Sequence, residues 1–249
     1  VNGSLAINQG KDDIEAVVDQ SVTGATDSDK KRTSISRASS VEVDATDSST
    51  KVAVAGGIQG SGKAAVGGAV AYNEIGDWIH NESGTYKNER QQQAQAVINH
   101  TDITMASTSK NAPVNVKAAD TSELGTASAG VGGAGNVAVE GAASVALIGK
   151  EAYAEMIGSN IEFGNGIDPR FADVKVESHS TGKVNTVAVV AAGTGSGAAV
   201  GAGIGVNYDN ADSRAAVSGG TMVVDNLAVT ADSKDDILNI GIGGSGTGT

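Results

Sequence analysis

The sequence has no cysteine in 249 residues, which excludes a disulfide framework, a thiolate metal site and a cysteine nucleophile. Aromatic residues make up 3% and prolines number only 2, so the chain is neither a globule built around large rings nor a proline-rich disordered tract. Positive charge is also short. The 17 basic residues against 29 acidic ones leave a formal charge of −12, which repels nucleic acid and anionic lipid at long range. Nucleic acid is therefore not expected as a partner. The one basic cluster, Lys30-Lys31-Arg32 with Arg37 beyond it, follows Asp27 and Asp29 and reads as a solvated loop.

No stretch has the character of a transmembrane helix. The uncharged run from Val184 to Tyr208 is long enough to span a bilayer, but it holds six glycines and alternates with period two. Each glycine would cost a helix about 1 kcal/mol relative to alanine. The chain opens at Val1 without an initiator Met or signal peptide, and its last residues, Gly243-Gly244-Ser245-Gly246-Thr247-Gly248-Thr249, stop inside a pattern that is complete in earlier copies, so both ends are expected to be cuts in a longer sequence.

Glycine is abundant, at 35 residues, and it recurs in a pattern. Short strands of Val-x-Val type occur at Val41-Glu42-Val43, Val114-Asn115-Val116, Val174-Lys175-Val176 and Leu227-Ala228-Val229. Each is followed by a glycine-rich turn: Gly60-Ser61-Gly62, Gly133-Ala134-Gly135, Gly195-Ser196-Gly197 and Gly244-Ser245-Gly246. After the turn comes strict alternation. One face reads Ala64, Val66, Gly68, Val70, Tyr72, and its counterparts are Val137 to Val145 and Ala198 to Val206. The other face holds Ala, Gly and Ser almost throughout and ends on Asn73 or Asn207, while Gly3 to Asn8 fits the tail of the same template.

Period two with β-branched residues on one face specifies strands. The large face is expected to form the core. The small face is expected either to pack closely on another layer or to form a flat outer wall, since glycine inside a strand marks close backbone approach. Asn8, Asn73 and Asn207 are either a stacked amide ladder or strand-ending turn residues. A further short strand follows, as at Ala152 to Ile157 and Arg214 to Val217. The polar insertion from Glu82 to Gln95 has room for one short helix around Glu89 to Ala94.

The chain divides into repeats at 1–40 (partial), 41–113, 114–173, 174–226 and 227–249 (partial) of one segment, 1–249. Unequal repeats of several strands point to an all-β, elongated β-solenoid, that is, a parallel β-helix. Antiparallel hairpin repeats stacked in a β-rich rod are the alternative, because the strands flanking Gly195-Ser196-Gly197 also suit a hairpin.

Chemistry-bearing residues do not cluster. His80, His100 and His179 sit in different phases of the repeat, though the first two lie close enough in sequence to fall on neighbouring rungs. The doublets Asp12-Asp13 and Asp235-Asp236, preceded by Lys11 and Lys234, also occupy different phases. Calcium-binding nonapeptides need an aspartate after their glycines, and none stands there. No Lys-Ser or Lys-Thr follows the glycine turns as a phosphate loop requires. No catalytic, cofactor-binding or metal-binding residue is assigned, and an enzyme is not expected.

The order Val-x-Val, Gly-Ser-Gly, Ala-Val-Gly-Ala-x-Ile-x-Val-Asn and Ala-Ala-Val-Ser-Gly resembles the repetitive passenger regions of Gram-negative surface exoproteins, the filamentous-haemagglutinin-like and autotransporter adhesins. The resemblance lies at the level of repeat and composition and covers most of the chain. It implies a right-handed β-helical shaft on the cell surface that displays binding loops. Its expected partners are host or neighbouring-cell receptors or glycans, or further copies of the chain. A self-assembling extracellular fibre subunit and a polysaccharide-acting β-helix enzyme are the rival readings.

Overall fold

The structure is a computed structural model that describes residues 1–19, 32–80, 86–106, 113–163 and 173–248. Among these, every regular element is a strand. The first strands are β1 (Asn2–Gly10), β2 (Asp13–Val18) and β3 (Thr33–Ala38). Then come β4 (Val41–Ser61), β5 (Ala64–Ile75), β6 (Asp77–His80), β7 (Tyr86–Arg90), β8 (Gln92–Asn99) and β9 (Thr101–Met105). The later strands are β10 (Val114–Ala134), β11 (Val137–Ile157), β12 (Asn160–Phe163), β13 (Asp173–Thr194), β14 (Ala198–Ser218) and β15 (Asn226–Thr247).

The strands stack into three parallel sheets. A front sheet has the order β4-β10-β13-β15, a back sheet contains β1, β2, β5, β8, β11 and β14, and a short side sheet is β3-β9-β12. The chain crosses the front sheet, reverses at the glycine turn, returns along the back sheet and passes through the side sheet before starting again. The architecture is a parallel β-helix. Register holds residue for residue: Val114 pairs with Val41 and Val174, Val174 with Leu227, and Val137 with Ala64 and Ala198.

The hairpin alternative does not occur, because β13 and β14 lie in different sheets and each pairs in parallel with the previous turn. The antiparallel pairing among the described residues is between β6 and β7, within the insertion that separates β5 from β8. That insertion holds no helix over its described residues. Gln92, Ala94, Ala96 and Ile98 instead stack on Lys150, Ala152, Ala154 and Met156, and this packing overrides the helix propensity of a Glu/Gln-rich run.

The strands are also longer than the alternation suggests. β11 and β14 each run 21 residues through the position of the terminal asparagine, so the short strand expected after it is the continuation of the same one. At about 3.3 Å per residue such a strand spans roughly 70 Å, which makes the cross-section broad and flat.

The larger correction concerns the faces. In the glycine-rich half, Ala55, Ala71, Ala142 and Ala188 face inward and are buried, while Val54, Ile58, Val66, Val200 and Ile204 face solvent, with Ile58 81% exposed. The turns explain this. Only Gly62 and Lys63 separate β4 from β5, so the front and back sheets must converge toward the tip. There the gap is too narrow for side chains: a Cβ on Gly203 would lie 2.8 Å from the carbonyl oxygens of both Ala188 and Ile242. The large residues have no room inside and turn outward. At the opposite end the side sheet holds the two broad sheets apart, and the main core forms from Val41, Val114, Val174, Ile98, Met156, Ile103 and Ile161.

The corner between back and side sheets repeats a left-handed backbone residue. His100 (φ 45), Gly158 (φ 55) and Gly219 (φ 67) follow Asn99, Ile157 and Ser218, which pair in register.

Candidate functional site

Between the aliphatic core and the pinched half lies a buried polar layer. The inward parity that starts at Val41 and Val114 places Asp47 and Ser49 of β4 beside Asp120 and Ser122 of β10, and all four are buried. The back sheet answers with Gln92 and Lys150, which are adjacent in register. Gln92 Nε2 donates to Asp120 Oδ2 (3.2 Å) and Ser122 Oγ (3.3 Å), while Ser49 Oγ donates to Gln92 Oε1 (3.3 Å). Ser122 Oγ donates to Asp120 Oδ1 at 2.8 Å. Burial pushes the Asp120 carboxyl up to about 6, against the lowering effect of its bonds from Ser122 and Gln92.

Lys150 is fully buried, and its Nζ donates to Asp235 Oδ1 at 2.6 Å. Asp209, in the last turn of the back sheet, has no hydrogen-bond partner on either oxygen. Burial and then the charge of Asp235 push its carboxyl up to about 6. These groups face the interior, so what they do is fix register. A one-residue slip would carry Lys150 and Asp120 to the outside.

The outer face of the front sheet carries a second polar array. Thr121, Thr181 and Lys234 share one row and Glu123, Lys183 and Asp236 another. Thr121 and Thr181 are hydrogen-bonded at 3.1 Å, Lys183 Nζ lies 3.0 Å from Glu123, and Lys234 Nζ lies 3.8 Å from Asp236. Together with Ser122 and Gly182 they line a shallow depression of about 290 Å³. His179 and Asp232 are paired two residues away. Exposed pairs of this kind contribute only about 0–1 kcal/mol each, so their regular alternation offers a polar contact surface more than stability.

The sequence candidates are dispersed in the structure. His179 is on the outer front face, His100 is at the back-side corner with Nδ1 2.5 Å from Asn99 Oδ1, and the side chain of His80 lies outside the described residues. Lys11 pairs with Asp13 at 2.7 Å in the first turn of the back sheet, far along the stack from Lys234 and Asp236 on the last front strand. Asp235 turns inward to Lys150. No group of three or more acidic, histidine or cysteine residues is arranged to hold a metal among the described residues.

Asn73 and Asn207 cross the interior rather than forming a ladder. Asn73 Nδ2 donates to Gly125 O at 2.6 Å, and Ala146 separates the two asparagines in register. Arg32 is not in a solvated loop: its Nε lies 2.6 Å from Asp102 and it also donates to Gly158 O at 2.8 Å. Lys30 and Lys31 lie outside the described residues.

Sequence inspection passed over the polar layer, although the signal was present. Asp47 and Asp120 stand six residues after the first Val of their strands, on the inward parity. Comparison with protein-family models, curated proteins and solved structures found no match.

Proposed function

We propose that the chain is a structural and adhesive segment of a large secreted or cell-surface bacterial protein, a shaft of the filamentous-haemagglutinin-like and autotransporter kind. One observation carries this reading. The long strands keep strict register from turn to turn, while the segments between them differ in length and, among the described residues, one turn alone carries the added β6–β7 hairpin. A scaffold that repeats its core and varies its connections supplies length and displays contact surfaces. The polar depression on the front sheet and the added hairpin are the surfaces such a shaft offers to a receptor or glycan.

The test is binding of the purified chain to epithelial cells and to a glycan array. Two variants accompany it: one with residues 77–90 replaced by a short Gly-Ser turn, and Lys183→Glu with Lys234→Glu. Loss of binding in either variant, with the strand-type circular dichroism unchanged, supports the reading. No binding by the unaltered chain overturns its adhesive part. Release of reducing sugar from a polysaccharide panel by the unaltered chain would favour the enzyme reading instead.

A further inference from the structure

The outer face of the back sheet is apolar over the half next to the glycine turns. Strands β5 and β11 each have a parallel neighbour on both sides, so the exposure of Val66 and Val70 on one and Val139 on the other belongs to the sheet face and not to an open edge. None of the described residues on the outward rows from Ala64 to Tyr72, or on their register partners, is charged. Further along the strands the face turns acidic: Glu151 and Asp212 lie side by side, and Glu155 follows with Arg214 at 3.1 Å. A contiguous apolar face wider than a few hundred Å² marks a contact surface.

This face is ridged. Gly3, Gly68 and Gly141 are in register and form a groove, with Val66 and Val139 along one side and Val70 and Ala143 along the other. The chain's own packing does not account for that groove. A Cβ on Gly141 would meet nothing within 4 Å, and one on Gly68 would make only an ordinary contact, at 3.5 Å, with the Gly141 carbonyl oxygen. Inward glycines differ sharply, since a Cβ on Gly67 would overlap Gln59 and one on Gly201 would lie 2.7 Å from the Gly244 carbonyl oxygen. Glycine has the most backbone freedom to lose in a strand, so an outward row of it leaves room for something outside the chain.

Shape, area and charge select a second copy of the chain as the occupant. Ridge and groove lie about 6.6 Å apart, two residues along a strand, and both repeat about every 4.8 Å up the stack. A two-fold axis parallel to the stack and set between them lays Val70 of one copy over Gly68 of the other and Ala143 over Gly141, with the reverse contacts following by symmetry. Successive strands stay matched because the partner rises by the same step. The rows from Ala64 to Tyr72 run about 30 Å along the strands and β1, β5, β11 and β14 cover about 19 Å up the stack, so the paired faces bury roughly 1,100 Å² in all. That clears the threshold of about 1,000 Å² for a specific interface. The same axis carries the acidic rows of each copy past the glycine turns of the other. A two-fold along the strands would instead set glycine over glycine and the Glu151 row over itself. An anionic lipid surface is repelled by the formal charge of −12.

We propose that the apolar half of the back sheet pairs face to face with the same surface of a second copy. The two stacks lie side by side and point the same way, and the groove of each takes the Val70 ridge of the other. The contact uses a side face and involves neither end of the stack. It goes beyond the shaft reading, because an unpaired shaft still displays its front sheet and its hairpin, and cell binding can fail or succeed independently of pairing.

Sedimentation velocity of the purified chain over a wide range of concentration should show a monomer–dimer equilibrium. Gly141→Val fills the groove without meeting the chain's own atoms, so it should weaken association by about tenfold while the melting temperature of the single chain holds or rises. Because the chain has no cysteine, single thiols report the register of the contact. Gly141→Cys mixed with Ala143→Cys should give a disulfide-linked pair on mild oxidation, in clear excess over either variant alone. A chain that stays single at every concentration, association unchanged by Gly141→Val, or equal disulfide yield in all three samples would overturn the inference. So would a lowered melting temperature for Gly141→Val, which would return the glycine to the chain's own packing. Flotation of single chains with phosphatidylcholine vesicles would overturn it as well, by assigning the face to lipid.

Discussion

The ammonium of Lys150 lies 2.6 Å from Asp235, and together the pair fills the space that a side chain at position 182 would need. Gly182 is the front-sheet residue in register between Ser122 and Asp235, so the glycine, the lysine and the aspartate, from three different strands, form one arrangement. Lys150→Ala is expected to destabilise the chain by about 3 kcal/mol by leaving Asp235 inside without its cation, the low end of the usual cost because Asp235 is 19% exposed. Gly182→Ala should cost a comparable amount by forcing the pair apart. Urea denaturation of both variants checks this, and a change below 1 kcal/mol in each would remove the pair from the account of stability.

Acid is expected to strengthen the fold before it weakens it. The carboxyl of Asp120 has its pKa raised by burial from 3.8 to about 6, so the folded chain binds that proton more tightly than the unfolded chain. The stabilising effect is therefore gained as pH falls from about 6 toward 3.8, and it is lost as pH rises through about 6. Asp209 shifts in the same direction. Melting temperature should rise between pH 7.5 and 5, and Asp120→Asn should flatten much of that rise.

The reversed faces give a sharp contrast. Gly203→Val places carbon where the Ala188 and Ile242 carbonyls already stand, and it should unfold the glycine-rich half or cost more than about 3 kcal/mol. Val200→Thr and Ile58→Thr, both on exposed outward positions, should change stability by no more than about 0.5 kcal/mol. Equal penalties for the two sets, read from thermal melts, would contradict the inward placement of the small residues.

At the back-side corner His100 holds a left-handed conformation that side chains rarely adopt, with its ring against Gly158 of the next turn. His100→Gly should relieve about 1 kcal/mol of backbone strain at that position. Gly158→Ala should cost about 1–2 kcal/mol, because the new methyl group meets both the φ penalty and the imidazole.

Deleting 174–226 removes one full turn and brings Leu227 onto Val114, the partner that Val174 had. A shorter folded chain is expected. Deleting 174–199 takes the front strand β13 and leaves β15 without its one neighbour, so loss of cooperative unfolding is expected there.

The stacking pattern was legible because parallel register copies sequence likeness directly: where Val41, Val114 and Val174 look alike, they lie side by side. The distance between the sheets was not. Alternation divides residues into two faces but does not say which face is inside, and the ordinary rule that large apolar residues go inward fails for Val66 and Ile204, where short turns draw the sheets together. The polar layer was missed for a related reason. Gln92 and Lys150 come from strands whose partners across the interior are set by three-dimensional closure, and only the front-sheet members, Asp47 and Asp120, stand in the repeat alignment.

The long strands are nearly equal, at 21 residues in β4, β10, β11 and β14 and 22 in β13 and β15, whereas the segments joining successive turns are not. That equality sets where the gene can change length. A single codon added within a long strand inverts every later side chain of that strand, sending Lys150 or Asp120 outward and valines into a space fit for glycine. Codons added between the side and front sheets, or where β5 gives way to β8, leave the parity of every long strand intact. Indels tolerated in this sequence are therefore expected at the corners and in whole-turn steps, and the reading frame of the fold is two residues wide.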